Sequence, residues 1–494
     1  MPQETMTSRQ RVLCALDHQQ PDRVPIDLGM HYSTGISAFA YHHLREHLGL
    51  DTSYIEVPDL VQFLARVEDD VLRRFHCDYK LVMPRPLRPT VFHPRNEYRF
   101  IVPDTFQPEM NARGEWIATG VDGGRMRMPK GGFFFDGDWP SFQDCDDETF
   151  LARAGKEAER IYHESDYFTM FQGVSAIYEE KLEELIRIYD EPEEVLAENQ
   201  CKADKAIEKA KRIIHHMGDH IQGICMGSDL GTQQAPMMSP AMYEEFYAPF
   251  VKQVCRFIHD NSDYRIFFHC CGSIRPMIPI LIDCGIDVLN PVQHSAANME
   301  PSVLKSDFGD KITFWGGGVN CQQILPRGTL EDIRADVRRN MEIFKPGGGF
   351  VFNPIHNIMG DNAPEKVVAL YDEAYRNSFY QDKKRAQLSH QAVSALFLWS
   401  QIMRGVIMRG AHWFVQQIVS PSCKAGVPCS GWLRPAYTTR SPSATFWPCS
   451  FTSSQASSGM WSSASTAAPT GQNTRWKTAS RGCFGAYSLP GLSI

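Results

Sequence analysis

Two hydrophobic rhythms alternate along most of the chain. From Tyr167 onward, short β-rich runs recur, in order YFTMFQG, HIQGICMGSDLG, RIFFHCCG, IDVLNPVQ, ITFWGGGVN and GGFVFNPIH. Between them lie longer stretches whose apolar residues return with helical period. Ala203, Ala206, Ile207, Ala210, Ile213, Ile214 and Met217 mark one such buried face. Helix-start residues stand where the period begins: Ser239-Pro240 before AMYEEFYAPFVKQVCRFIHD, Thr329 before LEDIRADVRRNMEIF, and Pro364 before EKVVALYDEAYR. Strands alternating with helices imply βαβ units and a parallel sheet. Repetition on this scale predicts an α/β chain built as a (β/α)8 barrel rather than an open sheet.

Upstream, a short amphipathic helix is expected from Thr7 to Leu16, then a brief β-type run from Arg23 to Gly29. Residues from about Val91 to Asp138 read as a small β-meander inserted before the main repeat, since EYRFIVPD, EWIATGVD and GRMRMPKGGFFFD are separated by Gly, Pro and Asp. The barrel domain thus spans 1–382. Beyond it the rhythm fails: six of the nine Trp, at 399, 413, 432, 447, 461 and 476, sit among Ser, Thr, Pro and Gly without period. Residues 383–494 hold no Asp or Glu, which neither a folded soluble domain nor an ordinary disordered segment predicts. That stretch reads as a tail without a domain, disordered or translated out of frame, with an unusual basic appendage as the alternative.

Charge sharpens the division. Residues 1–382 carry 39 basic against 58 acidic side chains, whereas the tail carries 11 basic ones alone. An acidic front part excludes nucleic-acid binding by bulk electrostatics. The opening MPQETMTSRQRVLCALDHQQPDRVP has no signal-peptide core, and no apolar run approaches membrane-spanning length, so a cytoplasmic protein is expected. In that setting the 14 Cys read as thiols or metal ligands rather than disulfides.

In a barrel, catalysis gathers at the C-terminal ends of the strands. The polar residues closing the β runs are Asp27; Asp229 and Gln233; His269, Cys270 and Cys271; Gln293 and His294; Asn320 and Cys321; and Asn353 and His356. His269-Cys270-Cys271-Gly272 is the most chemically loaded. Strand alternation puts His269 and Cys271 on one side, two borderline-soft ligands suited to zinc, with a third ligand available from Cys321 or His356. The plainer reading makes Cys270 a core residue, His269 a hydrogen-bonding group and Cys321 a small hydrophobe. Cys255 and Cys284 fall inside helical patterns and are expected to be buried thiols. Gly316-Gly317-Gly318 and Gly347-Gly348-Gly349 lack the Lys-Ser/Thr of a phosphate loop, and are expected only to permit close approach of strand and helix.

Five stretches, SRQRVLCALDHQQPDRVPIDLG, SDLGTQQAPMMSPAMYEEFYAPFVKQV, FFHCCGSIRPMIPILIDCGIDVLNPVQ, FWGGGVNCQQILPRGT and FVFNPIHNIMGDNAPEKVVALYDEAYR, together resemble the uroporphyrinogen decarboxylase superfamily from about Thr7 to Tyr380. The resemblance implies a distorted (β/α)8 barrel. Decarboxylases of this superfamily carry a Met-Arg-Gln-Ala-Gly-Arg segment whose arginines bind the porphyrinogen's carboxylates. Here PIDLGMHYSTGISAFAY stands instead, with no Arg between Arg23 and Arg45. The other branch moves methyl groups between a corrinoid and a thiol or pterin, with zinc on a His-x-Cys pair plus a later Cys. His269 and Cys271 match the pair, and the later ligand aligns with Asn353-Pro-Ile-His356, so the resemblance implies His356 as third ligand with Cys321 as alternative. Zinc in that branch holds a substrate thiol as thiolate, or polarises a pterin. Fused corrinoid domains carry an Asp-x-His-x-x-Gly motif. The tail holds no Asp, so the corrinoid is expected on a separate partner protein. The sequence therefore predicts a zinc-dependent methyltransferase with His269, Cys271 and Asp229 catalytic and Asp27, Gln233, Gln293, Asn320 and Asn353 lining the substrate pocket. Two alternatives stand beside it: a decarboxylase acting on a porphyrinogen, and an inactive barrel serving as a binding module.

Overall fold

The computed structural model describes residues 3–174 and 177–380; the tail at 383–494 lies outside them. In chain order the helices are α1 (Ser8–Leu16), α2 (Ala38–His47), α3 (Asp69–Arg74), α4 (Asp147–Glu164), α5 (Leu182–Asp190), α6 (Pro192–Met217), α7 (Pro240–Phe246), α8 (Ala248–Asn261), α9 (Ile278–Cys284), α10 (Pro301–Phe308), α11 (Ile324–Arg327), α12 (Leu330–Phe344) and α13 (Pro364–Ser378). The main sheet has six parallel strands, β8 (Met170–Gln172), β9 (Gly223–Gly227), β10 (Arg265–His269), β11 (Val288–Asn290), β12 (Thr313–Trp315) and β13 (Phe350–Val351), adjacent in sequence order. Each of the six β-rich runs supplies one of these strands. They are apolar on both faces because helices cover the outer face and side chains fill the inner one, as a parallel sheet requires.

The two edges of this sheet are joined through two short segments. Ile26 bridges Phe352 in parallel beyond β13, and Tyr79 bridges Phe168 ahead of β8. Between those segments the Asp78 amide donates to the Ile26 carbonyl at 2.8 Å. The Arg23–Gly29 run therefore contributes single bridges rather than a continuous strand. Tyr79, Phe168, Met170, Cys225, Phe267, Val288, Trp315 and Val351 pack into one buried cluster, and Val12 and Leu16 of α1 join it. A larger cluster lies between the sheet and the surrounding helices, where Ala203, Ala206, Ala210, Ile213 and Met217 of α6 are buried.

Charge is buried where the bridging segments meet. Asp78, fully inaccessible, accepts from Arg11 Nη1 at 2.6 Å, Arg23 Nη1 at 2.7 Å, the Ile26 amide at 2.8 Å and Ser8 Oγ at 2.9 Å. Both guanidiniums are almost wholly buried.

Two small sheets precede the main one. β1 (Ile55–Glu56), β2 (Pro89–Phe92) and β3 (Phe100–Pro103) form the first, in which β3 pairs parallel with β1 and antiparallel with β2. β4 (Glu109–Met110), β5 (Trp116–Thr119), β6 (Arg125–Met128) and β7 (Asp136–Gly137) form an antiparallel sheet in sequence order.

The helix starts follow their capping residues. Thr7 and Thr329 close capping boxes on α1 and α12, and Ser239 caps α7. The single helix expected over AMYEEFYAPFVKQVCRFIHD divides at Tyr247 into α7 and α8, because Pro249 has no amide to continue the ladder. Among the described residues no helix is long and apolar enough to cross a membrane.

Candidate active site

His269 is the last residue of β10, and that strand stops one residue short of Cys270. Cys271 therefore owes its position to the turn that follows, not to strand alternation. Its amide donates to Asp229 Oδ1 at 2.7 Å, which ties it to the end of β9. The same turn is pinned by Gly272, whose amide donates to Gln293 Oε1 at 2.8 Å, and Gln293 Nε2 donates to Gln233 Oε1 at 3.0 Å. Cys271 Sγ comes to rest 3.5 Å from His269 Nε2.

His356 enters from the loop after β13. One ligand atom each from His269, Cys271 and His356 all lie within 4.8 Å of one another, and the three side chains are half-buried. Cys321 is not part of this group: its thiol donates to the His356 carbonyl at 3.3 Å. Burial pushes the His356 imidazole down to about 3, and the neighbouring His269 adds to the effect, so this ring is neutral at physiological pH. Burial and the Asp229 carboxylate together raise the Cys271 thiol well above its ordinary range. Burial likewise pushes the Cys321 thiol up to about 12.

Several residues not singled out in the sequence complete the surroundings. Asn290, the last residue of β11, places Oδ1 2.8 Å from His269 Nδ1 and donates through Nδ2 to the Trp315 carbonyl at 3.0 Å. An acceptor facing Nδ1 puts the ring proton there and leaves Nε2 with a free lone pair. Ser33 Oγ donates to the same Asn290 oxygen at 2.7 Å. His31 stacks on His269 with centroids 5.7 Å apart, and burial holds its imidazole well below the usual histidine range. Glu180 accepts from the Asp229 amide at 2.7 Å; burial, and then the Asp229 charge, push its carboxyl up to about 8. At the end of β8, Gln172 buries an amide whose nitrogen and oxygen have no partner. The strand-end rule could have found Asn290 and Gln172. His31, Ser33 and Glu180 lie in irregular loops, where only the fold brings them to the site.

The remaining predicted pocket residues divide in two. Asp229, Gln233 and Gln293 border the His269-Cys271 turn. Asp27 and Asn353 are fully buried in the scaffold: Asp27 accepts from Trp315 Nε1 at 2.9 Å and the Met30 amide at 3.1 Å, and Asn353 Nδ2 donates to the Asp27 carbonyl at 3.1 Å. Asn320 Oδ1 accepts from the amides of Gln322 and Gln323 and so caps its own loop. Burial raises the Asp27 carboxyl to about 7, against the lowering effect of its hydrogen bonds.

Residues 187–376 match the uroporphyrinogen decarboxylase (URO-D) family. A uroporphyrinogen decarboxylase from Thioalkalivibrio sulfidiphilus (strain HL-EbGR7) is 38% identical over 68 residues, a stretch covering 14% of this chain and 18% of that relative's length. Among solved structures, a methyltransferase from Methanosarcina mazei is similar with a TM-score of 0.46 at 15% identity, covering 75% of this chain and 99% of that one. A GH10 xylanase with a bacterial Ig-like domain, from termite gut, is similar with a TM-score of 0.30 at 8% identity, covering 45% of this chain and 64% of that one.

Proposed function

Because residues 187–376 carry a uroporphyrinogen decarboxylase-family domain, we propose that the chain is a cytoplasmic enzyme of the methyl-transferring kind, built as a (β/α)8-type barrel. It would move a methyl group between a corrinoid on a separate partner protein and a thiol or pterin. The observation that carries this reading is the convergence of His269, Cys271 and His356 within 4.8 Å of one another. Two imidazoles and a thiol are a donor set suited to zinc, with room for a fourth ligand from the substrate. Zinc held there would supply the positive charge that keeps a substrate thiol deprotonated at neutral pH.

The chain's own residues prepare that site. Asn290 fixes the His269 proton on Nδ1, so Nε2 faces Cys271 as a base. His356 is neutral without help. Asp229 accepts from the Cys271 amide, and its carboxylate also raises the Cys271 thiol. Gln233 and Gln293, which border the turn, are neutral hydrogen-bonding groups, which suit a pterin or a thiol's polar tail better than a polycarboxylate. Among the described residues no arginine bonds to His31, Glu180, Asp229, His269, Cys271 or His356, so a porphyrinogen's carboxylates would lack guanidinium partners here.

The full chain should demethylate a methylated corrinoid, free or protein-bound, when offered a thiol or a pterin. It should leave uroporphyrinogen unchanged. Coproporphyrinogen formation without corrinoid demethylation would replace this reading with a decarboxylase; neither reaction, together with no bound zinc, would leave a binding module.

A further inference from the structure

A second group of metal-type donors lies at the opposite end of the strands. α4 lies against the C-terminal end of α6 and the 3-10 turn Gly218–His220 that precedes β9. They come close at Gly155, where a side chain would meet the His216 carbonyl oxygen at 2.3 Å. Glu159 and His163 follow Gly155 at successive intervals of four along α4, so all three share the face turned toward that junction. One ligand atom each from Glu159, His163 and His220 lie within 4.8 Å of one another, and the His163 and His220 rings are 5.6 Å apart.

These donors are unspent. Among the described residues no hydrogen bond or ion pair engages the side chain of Glu159, His163 or His220. Neighbouring side chains on α4 are occupied: Arg160 pairs with Glu157 and Glu164, and Glu148 with Arg212 and His216. The other His/Glu group among the described residues, His42-His43-Glu46, differs in this respect, because His43 Nε2 already bonds the Tyr98 hydroxyl at 2.9 Å. His163 also lies in the last turn of α4, where the helix dipole favours positive charge.

We propose that Glu159, His163 and His220 form a second metal site, which binds a divalent transition ion of the zinc class and ties α4 to the turn before β9. Two imidazole nitrogens and one carboxylate oxygen fit zinc, nickel or copper, while magnesium and calcium demand oxygen ligands throughout. Three protein ligands leave water to complete the shell. Binding to the folded form alone would stabilise it by mass action.

Zinc titration of the full chain, by calorimetry and by metal analysis after dialysis, tests the site. His163→Ala and His220→Ala should each remove one saturable zinc equivalent, or weaken it at least tenfold, and Glu159→Gln should weaken it less. The same loss should appear when these changes are added to a chain already carrying His269→Ala and Cys271→Ser, since the two groups are separate. Cobalt at this site should show no thiolate charge-transfer band, and magnesium should not compete. His163 is exposed, so its replacement leaves the fold intact. Zinc binding unchanged in both His163→Ala and His220→Ala, in either background, would overturn the proposal.

Discussion

At the scale of single residues, His356 and Cys321 were alternatives in the sequence, and their surroundings differ sharply in the structure. His356 converges with His269 and Cys271, whereas the Cys321 thiol is spent on a carbonyl. His269→Ala, Cys271→Ser and His356→Ala should each lose one zinc equivalent by metal analysis, while Cys321→Ser should keep it. Asn290→Ala should lower zinc affinity by roughly 10-fold to 100-fold, the usual effect of removing a group that orients a ligating histidine. Asp27 calls for a different measurement. Its carboxyl is raised by burial from 3.8 to about 7, so the folded protein holds a proton that the unfolded chain releases above about pH 4. This group therefore lowers stability as pH rises from about 4 to about 7, by something on the order of 4 kcal/mol at most. Urea unfolding across that window should show a flatter pH dependence in Asp27→Asn than in the unaltered chain; equal slopes would remove Asp27 as the cause. Residue types at strand ends made His269, Cys271 and Asp229 legible in advance. They could not separate Asp27 and Asn353, whose polar groups face the scaffold, from residues that face a pocket, because that distinction depends on which loop closes over them.

The elements explain how a strand that ends at His269 still presents Cys271 beside it. The turns after β9 and β10 meet backbone to backbone: a side chain at Gly272 would lie 2.3 Å from the Gly231 carbonyl oxygen, and Gly272 has a φ of +93°. Gly272→Ala is thus both strained and obstructed. It should cost on the order of 1–3 kcal/mol in thermal or urea unfolding. It should also weaken zinc binding at least tenfold by moving Cys271 away from Asp229, whereas normal zinc affinity in a destabilised variant would break that link. The β-rich runs and the helix-start signals at Ser239, Thr329 and Pro364 made the strands and these helices readable, since each rests on local chemistry. The break at Tyr247 was within reach too, because Pro249 stands in the sequence. The bridging segment at Asp78–Tyr79 was not: its pairing is a single bridge to Phe168 on one side and a hydrogen bond to Ile26 on the other, and its stability comes from Arg11 and Arg23, far away along the chain.

Over the whole molecule, Asp78 is the point on which the N-terminal part and the sheet edges converge. Asp78→Ala would leave two buried guanidiniums short of a partner, with Glu4 and Asp22 compensating only in part. The expected loss is on the order of 3–5 kcal/mol, seen as a lower urea midpoint. A shift no larger than that of an exposed pair such as Arg74 and Asp372 would mean that the knot is not what holds the edges together. The cluster of Val12, Leu16, Tyr79, Phe267 and Trp315 has a further consequence for traffic. Val12 and Leu16 of α1 cover this cluster on one side and its aromatic rings fill the centre, so a molecule reaching His269 has to come from the side where the loops after the strands lie. Under the proposed methyl-transfer reading, donor and acceptor would both have to use that side. A bulky corrinoid carrier seated there would then shut out the acceptor, and that reading predicts that each, supplied in excess, inhibits the other's half of the reaction.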